Sequence, residues 1–227
     1  MFIACSAKNL PFLCMFSIKI FTFNPFQENT YLLVNHQKDA IIIDPGCYGR
    51  SEQQELMDYI QSNNIQVKLL LNTHTHIDHV LGNAFIHRTF GLSPWMHQSE
   101  LPVYNSVKNY AHTYGINYEE GPEPEKFISE KDFIDFGIDQ LKILFTPGHS
   151  PGSICFYSEE QGFIIAGDVL FYRSIGRTDL PGGDHSTLLR SIKNELFSLP
   201  EMVEVYPGHG PKTSIKEEKL YNPFLNS

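Results

Sequence analysis

Four side chains that commonly bind metals stand within six consecutive positions of this sequence: His74, His76, Asp78 and His79. Neutral imidazole suits borderline metals such as Zn, Fe and Mn, and a carboxylate adds charge compensation. Three histidines and an aspartate packed this tightly would repel one another or compete for partners unless something bound them. The spacing therefore predicts a metal site.

The elements around this cluster indicate how it is positioned. The apolar run at residues 67 to 71 predicts a strand that ends just before the cluster. Because side chains alternate along an extended chain, His74 and His76 would point to the same side and share one cation. From His79 onward, the apolar spacing predicts a helix that stops at Gly91. Asp78 and His79 would lie in its first turn, turned away from the first pair and able to serve a second cation.

Three further predicted strand ends carry side chains of the same kind. Residues 141 to 145 run into Pro147-Gly148-His149, residues 163 to 166 end at Gly167-Asp168, and residues 202 to 206 run into Pro207-Gly208-His209. A carboxylate at a strand end can bridge two cations, which makes Asp168 the predicted bridging residue. Five histidines and two aspartates on four strand ends suffice for two cations with room for water, and open sites of this kind are catalytic.

The order of these motifs resembles a known family. Thr73-His74-Thr75-His76-Ile77-Asp78-His79, then Pro147-Gly148-His149, Gly167-Asp168 and Pro207-Gly208-His209, is similar to the pattern of the metallo-β-lactamase-fold hydrolases. Within that superfamily, residues 24 to 31 and 176 to 184 look like the glyoxalase II (hydroxyacylglutathione hydrolase) group. They resemble in particular its small single-domain bacterial members. The resemblance covers nearly the whole chain.

The resemblance implies both a fold and a cofactor. The fold is α+β, a four-layer αβ/βα sandwich in which helices flank two mixed β-sheets. The cofactor is a pair of divalent metal ions, with zinc expected and iron or manganese as alternatives. One metal would be held by His74, His76 and His149, the other by Asp78, His79 and His209, with Asp168 bridging. Asp44 resembles the family's aspartate that steadies the ligand loop, and a plain strand-end turn is the alternative.

The reaction predicted for such a site is hydrolysis. A water that bridges two cations loses its proton near neutral pH, and we expect the hydroxide, held by Asp78 and Asp168, to attack a thioester carbonyl. By resemblance, the substrate is a hydroxyacyl thioester such as S-D-lactoylglutathione, although the ligands themselves predict only hydrolysis. Three alternatives stay open: an iron-dependent glutathione persulfide dioxygenase, a β-lactam or lactone hydrolase, and a noncatalytic protein that kept the fold. The last would be expected to have lost ligands.

Features near the expected substrate entrance do not identify the thiol carrier, which is the thiol that forms the thioester with the acyl group. Only a short segment follows His209, whereas the better-known glyoxalase II enzymes continue into a helical domain that contributes glutathione contacts. Arg173, Arg177 and Lys212 could receive a substrate carboxylate, and a solvated surface role is the alternative for each. The tyrosine-rich residues 98 to 125 predict either a substrate lid or ordinary packing, and packing is favoured for most of the tyrosines.

Composition limits the remaining function classes. With 227 residues, 41% of them hydrophobic, the chain can bury the core of one domain over residues 1 to 227. A net charge of −9 argues against a nucleic-acid partner. We expect no membrane span, and the four cysteines lack CxxC spacing, which favours reduced thiols in a cytoplasmic protein. Because Met15 precedes the first family-like strand, residues 1 to 14 are interpreted as a misassigned or disordered extension.

Overall fold

The computed structural model describes residues 16 to 225. The proposed extension at residues 1 to 14, which includes Cys5 and Cys14, lies outside the described residues. The strands of the first sheet are β1 (Ser17–Phe23), β2 (Glu28–Val34), β3 (Asp39–Ile43), β4 (Gln66–Leu71), β5 (Pro94–Met96) and β6 (Lys126–Phe127). They are hydrogen-bonded in that order, and antiparallel pairing changes to parallel pairing after β3.

A second six-stranded sheet faces the first. Its strands are β7 (Phe133–Phe136), β8 (Asp139–Phe145), β9 (Ile154–Ser158), β10 (Phe163–Gly167), β13 (Glu204–Pro207) and β14 (Thr213–Ser214). Their order across the sheet is β14-β13-β10-β9-β8-β7, with β10 and β13 parallel. A two-stranded hairpin, β11 (Leu170–Phe171) and β12 (Ser174–Ile175), follows β10 in the chain.

Helices cover the outer faces of both sheets. They are α1 (Gly49–Ser62), α2 (Ile77–Val80), α3 (Asn83–Phe90), α4 (Leu101–Tyr110), α5 (His185–Ser191) and α6 (Ile215–Tyr221). Short 3₁₀ segments at Gln98–Glu100 and Ala111–Tyr114 flank α4, and a π-helical turn at Ile192–Leu196 extends α5. No helix among residues 16 to 225 is long and apolar enough to cross a membrane.

The alternation of side chains along the buried strands explains the layers. On β3, Ile41 and Ile43 pack between the two sheets, whereas Ile42 faces the other way and packs with Leu56 and Ile60 of α1. A strand buried on both faces needs a layer on each side. The same alternation on β10 sends Ile164 toward the second helical layer. The predicted four-layer α+β sandwich is therefore confirmed.

The predicted helix after the metal-ligand cluster differs in detail. It is two helices, α2 and α3, because the chain breaks at Gly82. The amide nitrogen of Gly82 donates to the carbonyl oxygen of Pro45 at 2.7 Å, and a Cβ at this position would lie 2.6 Å from that oxygen. Only glycine permits this approach. Gly91 ends α3 in the left-handed conformation, with a φ of 73°, as the sequence predicts.

Candidate metal centre

One group of three buried histidines comes from two loops. The loop after β4 carries His74 and His76, and the loop after β8 carries His149. The Nδ1 atom of His76 lies 2.8 Å from Nε2 of His149, and that nitrogen lies 3.2 Å from Nε2 of His74. The structure thus brings three ring nitrogens to one point, an arrangement that could hold a cation.

A second group joins the start of α2 to the loop after β13. Asp78 and His79 lie in α2, as expected, and His209 follows β13. The Oδ2 atom of Asp78 lies 3.1 Å from Nε2 of His209 and 3.7 Å from Nε2 of His79. These three residues also offer ligand atoms that lie close enough together to share a cation.

Asp168 lies between the two groups. It follows β10, and its Oδ1 atom is 3.5 Å from Nε2 of His79. Its Oδ2 atom is 3.5 Å from Nε2 of His149 and 3.6 Å from Nε2 of His209. Because this carboxylate contacts members of both groups, its position is the one that a bridging ligand would need.

Other polar groups orient the histidine rings. Nδ1 of His149 donates to the carbonyl oxygen of Arg177 at 2.8 Å, and Nδ1 of His209 lies 3.1 Å from the carbonyl oxygen of Phe26. A carbonyl oxygen can only accept, so each ring carries a proton on Nδ1 and presents Nε2 to the centre as the atom available to a metal. The main chain therefore selects the tautomer that binds a metal.

Asp44 supports the ligand loop directly. Its carboxylate accepts from the Thr73 amide nitrogen at 2.8 Å and from the Thr73 hydroxyl at 2.6 Å, and it lies 3.1 Å from Nδ1 of His79. Asp44 has a φ of 49°, a left-handed conformation that aspartate tolerates better than most residues. Both sequence interpretations of Asp44 thus describe part of its role, because it turns the chain at the end of β3 and holds the loop.

The electrostatics of the two groups differ. Burial lowers the pKa of His74 well below its usual value, and burial together with His149 lowers the pKa of His76 to about 3. Both rings are therefore neutral at neutral pH, which is the form that binds metals. Burial alone would also lower the pKa of His79, but the carboxylates of Asp78 and Asp168 outweigh it and raise that pKa. The second group is the more negative environment.

Sequence reasoning missed Glu100, which joins two of the loops that carry histidines. This buried carboxylate precedes α4. Its Oε2 atom accepts from the amide nitrogen of Thr75 at 2.8 Å and from the Thr75 hydroxyl at 2.9 Å. Its Oε1 atom accepts from the Ser150 hydroxyl at 2.6 Å and the Gly152 amide nitrogen at 2.7 Å. A glutamate just before a helix is a common surface pattern, so the sequence carried no signal for this contact.

Sequence reasoning also missed Glu28, at the start of β2. It is fully buried, and its Oε1 atom lies 4.0 Å from Nδ1 of His79. The Thr30 hydroxyl donates to its Oε2 atom at 2.9 Å. Burial raises the pKa of Glu28 well above its usual value, more than His79 lowers it. Every position of β2 is buried, and a single charged residue in an otherwise uncharged strand is the signal that was available.

The residues present fit metal ions. Two buried atoms at the centre, Nε2 of His79 and Oδ1 of Asp168, have no hydrogen-bond partner within the described part of the chain. Buried polar atoms are nearly always satisfied, so such a pair indicates a missing partner. Imidazole nitrogen and carboxylate oxygen are ligands of divalent transition metals. The two groups and the carboxylate between them therefore suit a binuclear centre.

An open cavity of about 1040 Å³ adjoins the centre. Its lining includes His76, Asp78, His149, Asp168 and His209, so the space leads directly to both groups. A site for a small-molecule substrate is typically a concave pocket of this scale. Substrate would therefore reach the cluster from this side.

The three basic residues considered for carboxylate binding are each paired with an acid. Arg177 lines the cavity, and its Nε and Nη2 atoms donate to the two carboxylate oxygens of Asp179 at 2.8 and 2.7 Å. Arg173 donates to Glu217 at 2.7 Å. Lys212 donates to the carboxylate of Glu204 at 2.6 Å.

Comparison with known proteins agrees with this geometry. The family model described as the metallo-beta-lactamase superfamily matches residues 23 to 209, which include every residue of both groups. The chain belongs to the metallo-beta-lactamase superfamily. This membership, together with the clustered histidines and aspartates, makes the protein a metallo-hydrolase.

Individual members of the superfamily resemble the chain closely. Hydroxyacylglutathione hydrolase GloC of Haemophilus influenzae is 36% identical over 213 residues, which cover 93% of this chain and 99% of that protein. Among solved structures, BLEG-1 B3 metallo-beta-lactamase superposes with a TM-score of 0.85 at 33% identity, covering 93% of this chain and 100% of that one. TTHA1623 in a di-iron-bound form gives a TM-score of 0.82 at 36% identity, covering 91% and 100%.

Proposed function

We propose that this metallo-hydrolase cleaves hydroxyacyl thioesters such as S-D-lactoylglutathione. In this proposal His74, His76 and His149 hold one divalent cation, Asp78, His79 and His209 hold the other, and Asp168 contacts both. The observation that carries the assignment is the position of the Asp168 carboxylate, which is 3.5 to 3.6 Å from a histidine nitrogen of each group. The similarity to a hydroxyacylglutathione hydrolase over 93% of the chain supports the thioester substrate.

The residues divide the chemistry between them. Bound cations would supply Lewis acidity, which polarises a carbonyl and makes water nucleophilic near neutral pH. Asp168 lines the cavity, and its carboxylate, which bound cations would hold in the ionised form, accepts a hydrogen bond from an entering water. Asp78 offers a second acceptor on the same side of the cavity. Together they orient the water toward the substrate carbonyl.

Hydrolysis of the thioester requires few catalytic groups beyond those that orient the water. The water oxygen bonds to the carbonyl carbon, the carbon–sulfur bond breaks, and a carboxylic acid and a thiol are formed. Thiolate is a good leaving group, so no strong general acid has to be positioned beside it. This is consistent with a cavity lining that is mainly apolar.

Thiol release from S-D-lactoylglutathione by the metal-loaded protein tests the proposal. His76→Ala should lose most bound metal and turnover yet stay folded, because a ligand at a loop rim contributes little to the core. The exposed His112, which lies outside both groups, provides the matched control His112→Ala. Full activity of His76→Ala would refute the site assignment, and no turnover by a fully metallated wild-type protein would refute the substrate.

A β-lactam hydrolase is the second candidate, favoured by the 33% identity to BLEG-1 B3 metallo-beta-lactamase. The same oriented water would attack a cyclic amide carbonyl. Hydrolysis of a chromogenic cephalosporin, measured with the same metal-loaded sample, separates the two candidates. A kcat/KM for the cephalosporin above that for the thioester would favour this second function.

The metal itself is measured in the same experiments. Zinc remains our expectation, and the di-iron form of a protein with 36% identity makes iron the first alternative. Elemental analysis after loading with each metal, paired with turnover, identifies which ion supports hydrolysis. Oxygen consumption with glutathione persulfide would instead identify the dioxygenase alternative.

A further inference from the structure

The cavity beside the metal centre has an aromatic wall. The rings of Phe26 and Tyr114 meet edge to face, with centroids 5.6 Å apart, and the rings of Tyr110 and Tyr114 meet in the same way at 6.1 Å. All three residues line the cavity. Edge-to-face pairs hold rings in defined positions, so this surface is already ordered for a ligand.

The wall lies on the side of the second ligand group. Phe26 supplies the carbonyl oxygen that contacts the His209 ring, and Tyr110 ends α4, which packs against α2. Ile77 of α2 and Val103 of α4 also line the cavity. A substituent on a carbonyl held at the centre would therefore meet apolar side chains.

Tyr114 itself is the most accessible part of this wall. The residue is 52% exposed. Gly115 follows it with a φ of 70° and ends the 3₁₀ segment, turning the chain away. The exposed ring therefore faces the open cavity and is available to a ligand.

Charge recognition is weak in the same cavity. Arg177 is the one arginine or lysine among the described lining residues, and both carboxylate oxygens of Asp179 already occupy its guanidinium. A substrate carboxylate would have to displace Asp179 or share a guanidinium whose charge Asp179 already balances. Carboxylate binding in proteins normally uses an available arginine or lysine, so the carrier's charges have little to bind here.

We propose that the cavity selects its thioester by an apolar acyl substituent, which packs on Phe26, Tyr110 and Tyr114, and not by the charges of the thiol carrier. This inference rests on the proposed thioester hydrolysis and specifies its substrate class. It predicts that an aromatic 2-hydroxyacyl group is preferred to lactoyl. It also predicts that a neutral carrier serves almost as well as glutathione.

Four thioesters test both parts of the proposal. Each thioester joins one of two acyl groups, lactoyl or mandeloyl, to one of two carriers, glutathione or the neutral N-acetylcysteamine. Mandeloyl carries a phenyl group where lactoyl carries a methyl group. Burying one methylene improves binding about fourfold, so a phenyl group that is partly buried should raise kcat/KM about tenfold on either carrier. Exchange of the carrier should change kcat/KM less than about threefold, because no charge contact is lost.

The aromatic wall is tested by Tyr114→Ala. This exposed side chain can be removed without unfolding, and the mandeloyl-to-lactoyl ratio should fall from about tenfold to about twofold because an apolar contact is lost. Phe133→Ala is the control, since Phe133 is another half-exposed aromatic residue, on β7, and does not line the cavity. Its ratio should match that of the wild type.

Each failure has a distinct signature. A mandeloyl-to-lactoyl ratio of one or less, or a ratio unaffected by Tyr114→Ala, would overturn the apolar selection. A tenfold or greater loss on replacing glutathione would show selection by carrier charge and would also overturn it. In all these cases hydrolysis still occurs, so the proposed function survives. Absence of turnover with all four thioesters would refute the proposed function itself.

Discussion

Glu100→Gln is the substitution that most directly tests how the loops that carry the candidate metal ligands are held together. Each carboxylate oxygen of Glu100 accepts two hydrogen bonds, one pair from Thr75 and one pair from Ser150 and Gly152. A glutamine has nearly the same shape, but its amide nitrogen only donates. Whichever way the amide turns, its nitrogen faces one backbone N–H and one hydroxyl. The hydroxyl can turn to accept, but the backbone donor is left without an acceptor.

The size of the effect follows from these four contacts. A hydrogen bond to a charged group contributes about 1.5 to 3 kcal/mol and one to a neutral group about 0.5 to 1.5 kcal/mol. Losing one bond and weakening the other three therefore costs about 4 to 6 kcal/mol. Burying a neutral amide is easier than burying a carboxylate, which offsets part of this loss. We expect a net destabilisation of about 3 kcal/mol, which for a chain of this size lowers Tm by about 6 to 12 °C. Altered support of metal ligands typically weakens metal affinity about 10- to 100-fold.

Two measurements check the prediction. Thermal unfolding of the metal-free protein reports the stability loss, and metal titration well below Tm reports affinity when the protein is folded. The exposed Glu125 gives the matched control Glu125→Gln, which should change neither value. A Glu100→Gln variant with wild-type Tm and wild-type metal affinity would refute the reasoning that Glu100 holds the Thr75 and Ser150 loops together.

Three further predictions concern the centre itself. Asp168→Ala should reduce the metal content from two ions per chain to one or fewer, and two ions retained in elemental analysis would contradict a bridging role. Gly208→Ala should weaken metal binding, because a Cβ there would overlap Oδ1 of Asp168, whereas the exposed Met202→Ala should not. Removing metal with a chelator should lower Tm by about 10 °C if the free metal concentration normally exceeds Kd about 1,000-fold. An unchanged Tm after complete removal would show that the folded protein does not bind metal more tightly than the unfolded chain does.

The residues of the candidate site could be read from the sequence because their signals are local. His74, His76, Asp78 and His79 stand together, and alternation and helical spacing operate over a few residues. The strand ends that carry His149 and Asp168 were marked by apolar runs followed by Pro-Gly or Gly, and the one that carries His209 by an alternating apolar and acidic stretch followed by Pro-Gly. The resemblance to the metallo-β-lactamase fold added the layer order, which the structure and the family match confirm.

The tertiary structure decided what surrounds those residues. Glu100 reaches Thr75 across 25 positions and Ser150 across 50, and no local pattern predicts which acidic side chain becomes buried between two loops. The pairing of Arg177 with Asp179 depends on side-chain orientation, which the sequence does not specify. The sequence alone thus determined which side chains are the candidate metal ligands. The hydrogen bonds that hold these side chains in place, and the apolar character of the cavity, arise from long-range contacts. Such contacts form only when the two sheets pack.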